Sequence, residues 1–153
     1  MKSGEYLQIV AIIERLHRQF LQVVKLELDR TGVHDINNVQ ALLLFNIGPA
    51  EMTIGELTLR GAYLGSNVSY NVKKMVDLGY LAAERSTNDL RSTRVRLTRK
   101  GRALRGGLSA MNERHIARLA PNGISDDDLQ RAARTLQQLQ RLWLEARDYQ
   151  RRA

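Results

Sequence analysis

The chain of 153 residues is 43% apolar and 26% charged, the make-up of one compact domain with its own core, with or without an oligomerisation extension. No apolar run approaches the roughly 18 residues that cross a bilayer, and Glu14 and Arg15 break the stretch at 9–13 before any cleavage site, so neither a membrane partner nor a signal peptide is expected and the cytoplasm is the expected location. The absence of cysteine excludes disulfides, thiolate metal sites and thiol switches.

The formal charge of +8 is unevenly spread. Residues 1–64 carry six basic and seven acidic side chains and residues 108–153 carry eight and six, whereas residues 65–107 carry ten and three. Nearly the whole excess therefore sits in less than a third of the chain. A polyphosphate partner attracts such a concentration and gains by counterion release; the competing reading is a solvated basic surface with no partner.

Taken in chain order, residues 6–28 place Tyr6, Ile9, Ile13, Leu16, Phe20, Val24 and Leu28 on one face of a long helix, with Gly32 as its stop. Residues 35–38 offer several N-caps for a short buried helix carrying Val39, Leu42, Leu43 and Phe45, ended by Gly48-Pro49. Thr53-Ile-Gly-Glu56 has the spacing of a capping box and opens a third helix of about two turns. Gly61 and Gly65 bracket a turn, after which Ser66 or Asn67 caps a fourth helix reaching Leu78, closed by Gly79. Two short helices across a glycine turn have the outline of a helix-turn-helix, an outline many αα-hairpins share.

The period then changes to two. Thr93, Val95 and Leu97 alternate with Arg94, Arg96 and Thr98 in a strand whose expected partner is residues 80–86, with 87–91 as the hairpin tip; a basic loop is the alternative. Residues 102–119 return to helical spacing through Leu104, Leu108, Met111 and His115, and Ser125 caps a last helix with Leu129, Leu136, Leu139, Leu142 and Trp143 on one stripe. The acids Asp126, Asp127 and Asp128 suit the positive end of that helix rather than a metal, since consecutive helical residues point apart. The first and last helices offer more apolar stripe than a chain of this size covers alone. Burial of Ile9, Ile13, Leu16, Leu136, Leu139 and Trp143 against a second copy is the expected solution, a monomeric bundle the alternative.

The fourth helix divides into two faces. Val68, Val72, Met75 and Val76 would pack on residues 54–59, while Ser66, Asn67, Ser69, Tyr70, Asn71, Lys73, Lys74 and Asp77 lie on the opposite face and its flanks. Hydrogen-bonding groups near the N-terminus followed by cations is the order a helix needs to enter a major groove past phosphates, so these residues with Arg94 are the candidate contacts to double-stranded DNA. Solvated polar residues would look similar. Arg91, Arg94 and Arg96 flank the hairpin tip, where arginine can enter a minor groove; Asp89 either aims the Arg91 guanidinium or makes an Asx turn.

With these residues in view the chain resembles the MarR family, the winged helix-turn-helix regulators named for multiple antibiotic resistance. The likeness runs through Thr53-Ile-Gly-Glu-Leu57, Asn67-Val-Ser-Tyr-Asn-Val72, Leu78-Gly-Tyr-Leu81, Asn88-Asp-Leu-Arg91 and Val95-Arg-Leu-Thr-Arg-Lys-Gly101, the last two resembling the family's wing. The resemblance implies a mainly α fold with a small β-hairpin wing: one domain over 1–153, a DNA-binding region at 35–101, and dimerisation helices at 5–31 and 104–150. It further implies a homodimeric, sequence-specific transcriptional regulator, with residues 66–74 as recognition helix, an oriented Asp89 and Arg91 in the wing, and release by a small aromatic or phenolic effector. The segment Arg60-Gly-Ala-Tyr-Leu-Gly65 departs from the family's usual turn and leaves the start of the recognition helix open.

No cofactor or metal is expected. His17 and His115 fall on apolar faces and read as core or interface residues rather than ligands, and no nucleophile–base pair, phosphate loop or convergent carboxylate pair suggests an enzyme. The alternative function is a non-specific architectural DNA- or RNA-binding module.

Overall fold

A computed structural model describes residues 3–61, 63, 65–84 and 92–153 of the chain. The N-terminal apolar stripe forms α1, Ser3–Arg30, which ends as expected at Gly32, with φ of 76° and the Val33 amide donating to the Leu28 carbonyl at 2.9 Å. Helix α2, Asn38–Ile47, starts at Asn37 in a reciprocal capping box with Gln40. It is mostly apolar and buries Ala41, Leu43, Leu44 and Ile47 in the core. The Asn38 amide ties it to α1 by donating to the Leu21 carbonyl at 2.9 Å.

The Thr53–Glu56 box forms as read, with the Glu56 amide donating to Thr53 Oγ1 at 3.1 Å and the Thr53 amide to Glu56 Oε2 at 3.3 Å, and it opens α3, Ile54–Gly61. The recognition-helix candidate α4 spans Gly65–Asp77, beginning one residue before Ser66 and two before Asn67, the expected caps. Between them Tyr63 packs its ring over Gly61 and accepts a hydrogen bond from Asn46 Nδ2 at 2.7 Å. A tyrosine anchored on α2 thus occupies the turn whose sequence departs from the family.

Strand β1, Met52–Thr53, was too short to show alternation. It pairs antiparallel with β3, Arg94–Leu97, which pairs on its other side with β2, Leu81–Glu84, giving the order β1-β3-β2. Val95 sits at the centre, opposite both Met52 and Ala83. Helix α5, Arg99–Ile116, starts three residues earlier than its apolar period suggested, because Thr98 caps it: Thr98 Oγ1 accepts from the Gly101 amide at 3.2 Å. After a 3-10 turn at Ala120–Asn122, Ser125 caps α6, Asp126–Arg152, in a box closed by Asp128. That contact gives Asp128 a structural job, and the Ser125 amide and hydroxyl hold its carboxyl below its ordinary value.

The chain divides into two compact units, residues 1–111 and 112–153, and the boundary falls within α5. The buried apolar residues run from Val24 to Met111, so the core belongs to the first unit. The two histidines placed on apolar faces are exposed rather than in the core, because α1 buries residues only from Val24 onward and α5 none beyond Met111.

Candidate nucleic-acid interface

The apolar side of α4 is fully engaged: Val68, Val72 and Met75 are 1%, 3% and 0% exposed, against Leu57 of α3 and the rest of the core. Packing that face commits the opposite one to solvent. Ser66, Asn67, Tyr70, Lys73, Lys74 and Asp77 are exposed, and Tyr70 holds 66% of its surface free although its ring is large and apolar enough to be buried elsewhere. Ser69 and Asn71 are half-buried at the edges of this face. The Asn71 amide is occupied inside the chain, with Oδ1 accepting from Gln40 Nε2 of α2 at 3.1 Å and Nδ2 donating to the Asn67 carbonyl at 2.9 Å. Its geometry is that of a brace between α4 and α2.

In the sheet, Arg94 and Arg96 alternate outward from the buried Val95 and Leu97, and Arg94 stands opposite Glu84. Asp89 and Arg91 lie outside the described residues. Of the cations that follow β3, Arg99, Lys100 and Arg102 are all exposed, but Arg102 Nη1 donates to the Leu97 carbonyl at 3.0 Å and Lys100 Nζ to the Leu78 carbonyl at 3.0 Å. The Leu97-Thr98-x-x-Gly101 segment acts as a lock. Thr98 donates from its amide to the Tyr80 carbonyl at 3.1 Å and from its hydroxyl to Gly79 and Tyr80 carbonyls at 2.6 and 3.0 Å, and a Cβ on Gly101 would collide with that same Tyr80 carbonyl. This motif's chemistry is therefore local architecture: it fixes the start of β2 and the start of α5 to each other.

The lock adjoins the C-terminus of α4. Gly79, at φ of 84°, reverses the chain so that the Tyr80 amide donates back to the Met75 carbonyl at 2.9 Å. The Tyr80 hydroxyl then donates to Asp35 Oδ1 at 2.6 Å, and Lys100 Nζ reaches Asp35 Oδ2 at 3.1 Å and the Leu78 carbonyl at 3.0 Å while lying 4.2 Å from the Tyr80 ring centre. Burial would raise the Asp35 carboxyl, but the bonds from Tyr80 and Lys100 outweigh it and hold it below its ordinary value; burial and then Asp35 push the Tyr80 phenol upward, keeping it protonated. These three residues border a cavity of about 630 Å³ between α1, α5 and the α1–α2 connection. Sequence reasoning missed this cluster: 45 positions separate Asp35 from Tyr80 and 65 separate it from Lys100, and no motif links them.

Among the residues expected at a dimer interface, Ile9, Leu16, Leu136 and Trp143 are 37%, 56%, 45% and 39% exposed, and Ile13 and Leu139 are half-buried. No residue of α6 is buried, and no helix among the described residues is long and apolar enough to cross a membrane.

Residues 36–101, the span holding these elements, match the winged helix DNA-binding domain family. Over 144 residues, 94% of this chain and 74% of the relative, the sequence is 38% identical to the exopolysaccharide II synthesis transcriptional activator ExpG of Rhizobium meliloti (strain 1021). The fold is shared with a Staphylococcus aureus MarR solved with salicylate and kanamycin (TM-score 0.71, 23% identity, 94% of this chain and 93% of that one). It is shared also with Streptococcus pneumoniae FabT in complex with DNA (TM-score 0.68, 19% identity, 92% and 99%). A transcriptional relative along nearly the whole chain and the winged helix match together place the chain in a family of winged helix transcriptional regulators, and its fold is that of the MarR regulators.

Proposed function

We propose that this regulator binds a pseudo-palindromic operator as a homodimer, with α4 in the major groove and the wing beside it in the minor groove. The observation that carries the reading is the division of α4, whose buried Val68, Val72 and Met75 leave Ser66, Asn67, Tyr70, Lys73 and Lys74 exposed together. Base reading falls to Ser66, Asn67, Ser69 and Tyr70, phosphate contact to Lys73, Lys74 and Arg94, and Asn71 holds the helix in place through Gln40. Arg91 enters the minor groove, steadied by Asp89. The DNA-binding region is 35–101. Segments 5–31 and 104–150 join two copies through Ile9, Ile13, Leu16, Leu136, Leu139 and Trp143, a role supported by the exposed apolar surface of Ile9, Leu16, Leu136 and Trp143. A small-molecule effector in the cavity beside Tyr80 releases the operator, in the cytoplasm, where the DNA is.

The test is selection of bound fragments from genomic DNA followed by affinity measurement on the recovered sites. A recurrent inverted repeat bound about a thousandfold or more tighter than random duplex is expected. Equal affinity for all duplexes at physiological salt would refute the reading and leave a non-specific architectural protein.

A further inference from the structure

We infer that the cavity beside Asp35, Tyr80 and Lys100 takes an uncharged, flat apolar molecule bearing an amide or hydroxyl group and discriminates against the corresponding carboxylate. The inference rests on the effector reading above and deepens it by naming the ligand's chemistry.

At about 630 Å³ the cavity has the size of a small-molecule site, and Leu28, Leu104 and Leu108 give it apolar walls. Its charged groups are already matched within the protein. The Glu27 carboxylate, 8% exposed, is gripped by Arg30 at 2.6 and 3.1 Å. Asp35 takes the Tyr80 hydroxyl on one oxygen and Lys100 on the other, and Lys100 spends a second N–H on the Leu78 carbonyl. The remaining ionisable group, His34, stands 3.8 Å from Asp29. An entering carboxylate would shed part of its water beside two existing carboxylates whose cations already have counter-ions, and although Lys100 and Asp35 are 50% and 40% exposed, that unbalanced charge carries a cost an uncharged group escapes. An entering cation would have to displace Lys100 or Arg30. An uncharged amide meets neither penalty, because it can donate to a remaining lone pair on Asp35 and accept from the third N–H of Lys100.

The same three residues give a bound molecule a route to the DNA-facing helix. Lys100 bonds the Leu78 carbonyl just past the end of α4, the Tyr80 amide bonds Met75 within it, and the Tyr80 carbonyl holds Thr98 at the foot of β3. A ligand that draws on Lys100 or the Tyr80–Asp35 bond therefore acts on groups that set the position of both α4 and the wing.

Isothermal titration of the full chain near neutral pH with 2-naphthamide, 2-naphthoate and 2-naphthamidine compares one shape in three charge states. The amide should bind at least about tenfold tighter than either ion. Asp35→Asn keeps an acceptor for Tyr80 and strips Lys100 of its counter-ion, so 2-naphthoate should gain about tenfold in that variant. Lys100→Gln makes the reciprocal change and should shift preference toward 2-naphthamidine by a similar factor. Circular dichroism checks that each variant is folded, and either one suffices for the test. Failure of the amide to bind, equal binding of the carboxylate to the native protein, or folded variants with unchanged charge preference would overturn the inference. Operator affinity is measured separately by fluorescence anisotropy: an amide that binds with the expected preference and leaves the operator complex intact refutes release by this cavity, while the ligand class stands.

Discussion

Gly101→Ala tests the lock between the wing and α5. Gly101 lies in the first turn of α5, where a Cβ would overlap the Tyr80 carbonyl oxygen and sit 3.2 Å from its carbonyl carbon and 3.4 Å from Leu97 Cδ2. The obstruction is backbone, not the far end of a flexible side chain, so α5 must back away. Overpacking of this kind costs about 1–3 kcal/mol. Retreat also stretches the two bonds that Thr98 makes to the Tyr80 carbonyl, at 3.1 and 3.0 Å, each worth about 1 kcal/mol. The better helix propensity of alanine returns at most about 1 kcal/mol. The net loss is about 3 kcal/mol, or about 10 °C in melting temperature for a protein of this size. Urea unfolding followed by circular dichroism measures it, with Gly106→Ala as internal comparison. Gly106 lies on the same helix with nothing within 4 Å of its added Cβ, and its replacement should leave stability equal or raise it by up to about 1 kcal/mol. A Gly101→Ala protein as stable as the parent would refute the lock.

Arg91→Ala should weaken operator binding by about 1–3 kcal/mol with little effect on random duplex, and Lys74→Ala should lower affinity for all sequences and reduce the salt slope by about one, both read by anisotropy titrations over a range of salt. If Arg91→Ala changes neither affinity nor preference, the wing makes no groove contact. The Asp35 clamp should show in acid. Its carboxyl lies lower in the folded chain than unfolded, so its contribution is complete above the ordinary carboxylate range and disappears as pH falls through and below it. The stability of Asp35→Asn should therefore fall less steeply with acid than that of the parent, by up to about 1 kcal/mol for a half-exposed ion pair. Parallel acid limbs would contradict this. Leu136→Asp with Leu139→Asp should convert a dimer to a monomer in light scattering while α4 and the sheet keep their circular dichroism; an unchanged mass would move the interface elsewhere.

Short-range physical rules made much of the fold legible in the sequence. The stops at Gly32 and Gly79, the caps at Thr53 and Ser125 and the apolar side of α4 each depend on residues within a turn or two of one another, and each forms where the pattern put it. Where local rules erred, a longer-range contact had the deciding vote. Strand β1 exists because Met52 lies opposite Val95, and α5 begins early because Thr98 caps it while bonding to Gly79 and Tyr80. That His17 and His115, read as core or interface residues, lie outside the core follows from how little of α1 and α5 the core covers, which helical period alone does not state.

The candidate interface divides along the same line. Charge concentrated at residues 65–107 and the polar face of α4 are properties of the sequence; from them come the expected nucleic-acid partner and the candidate contacts Ser66, Asn67, Tyr70, Lys73 and Lys74, which the fold leaves exposed. Only tertiary structure shows that Asn71, and the nearby Lys100 and Arg102, spend hydrogen bonds inside the chain, on Gln40, Asp35 and Leu97. Only tertiary structure, too, could bring Asp35, Tyr80 and Lys100 together around a cavity. Burial and hydrogen-bond partners depend on what packs nearby, and for these residues the neighbours come from distant parts of the chain.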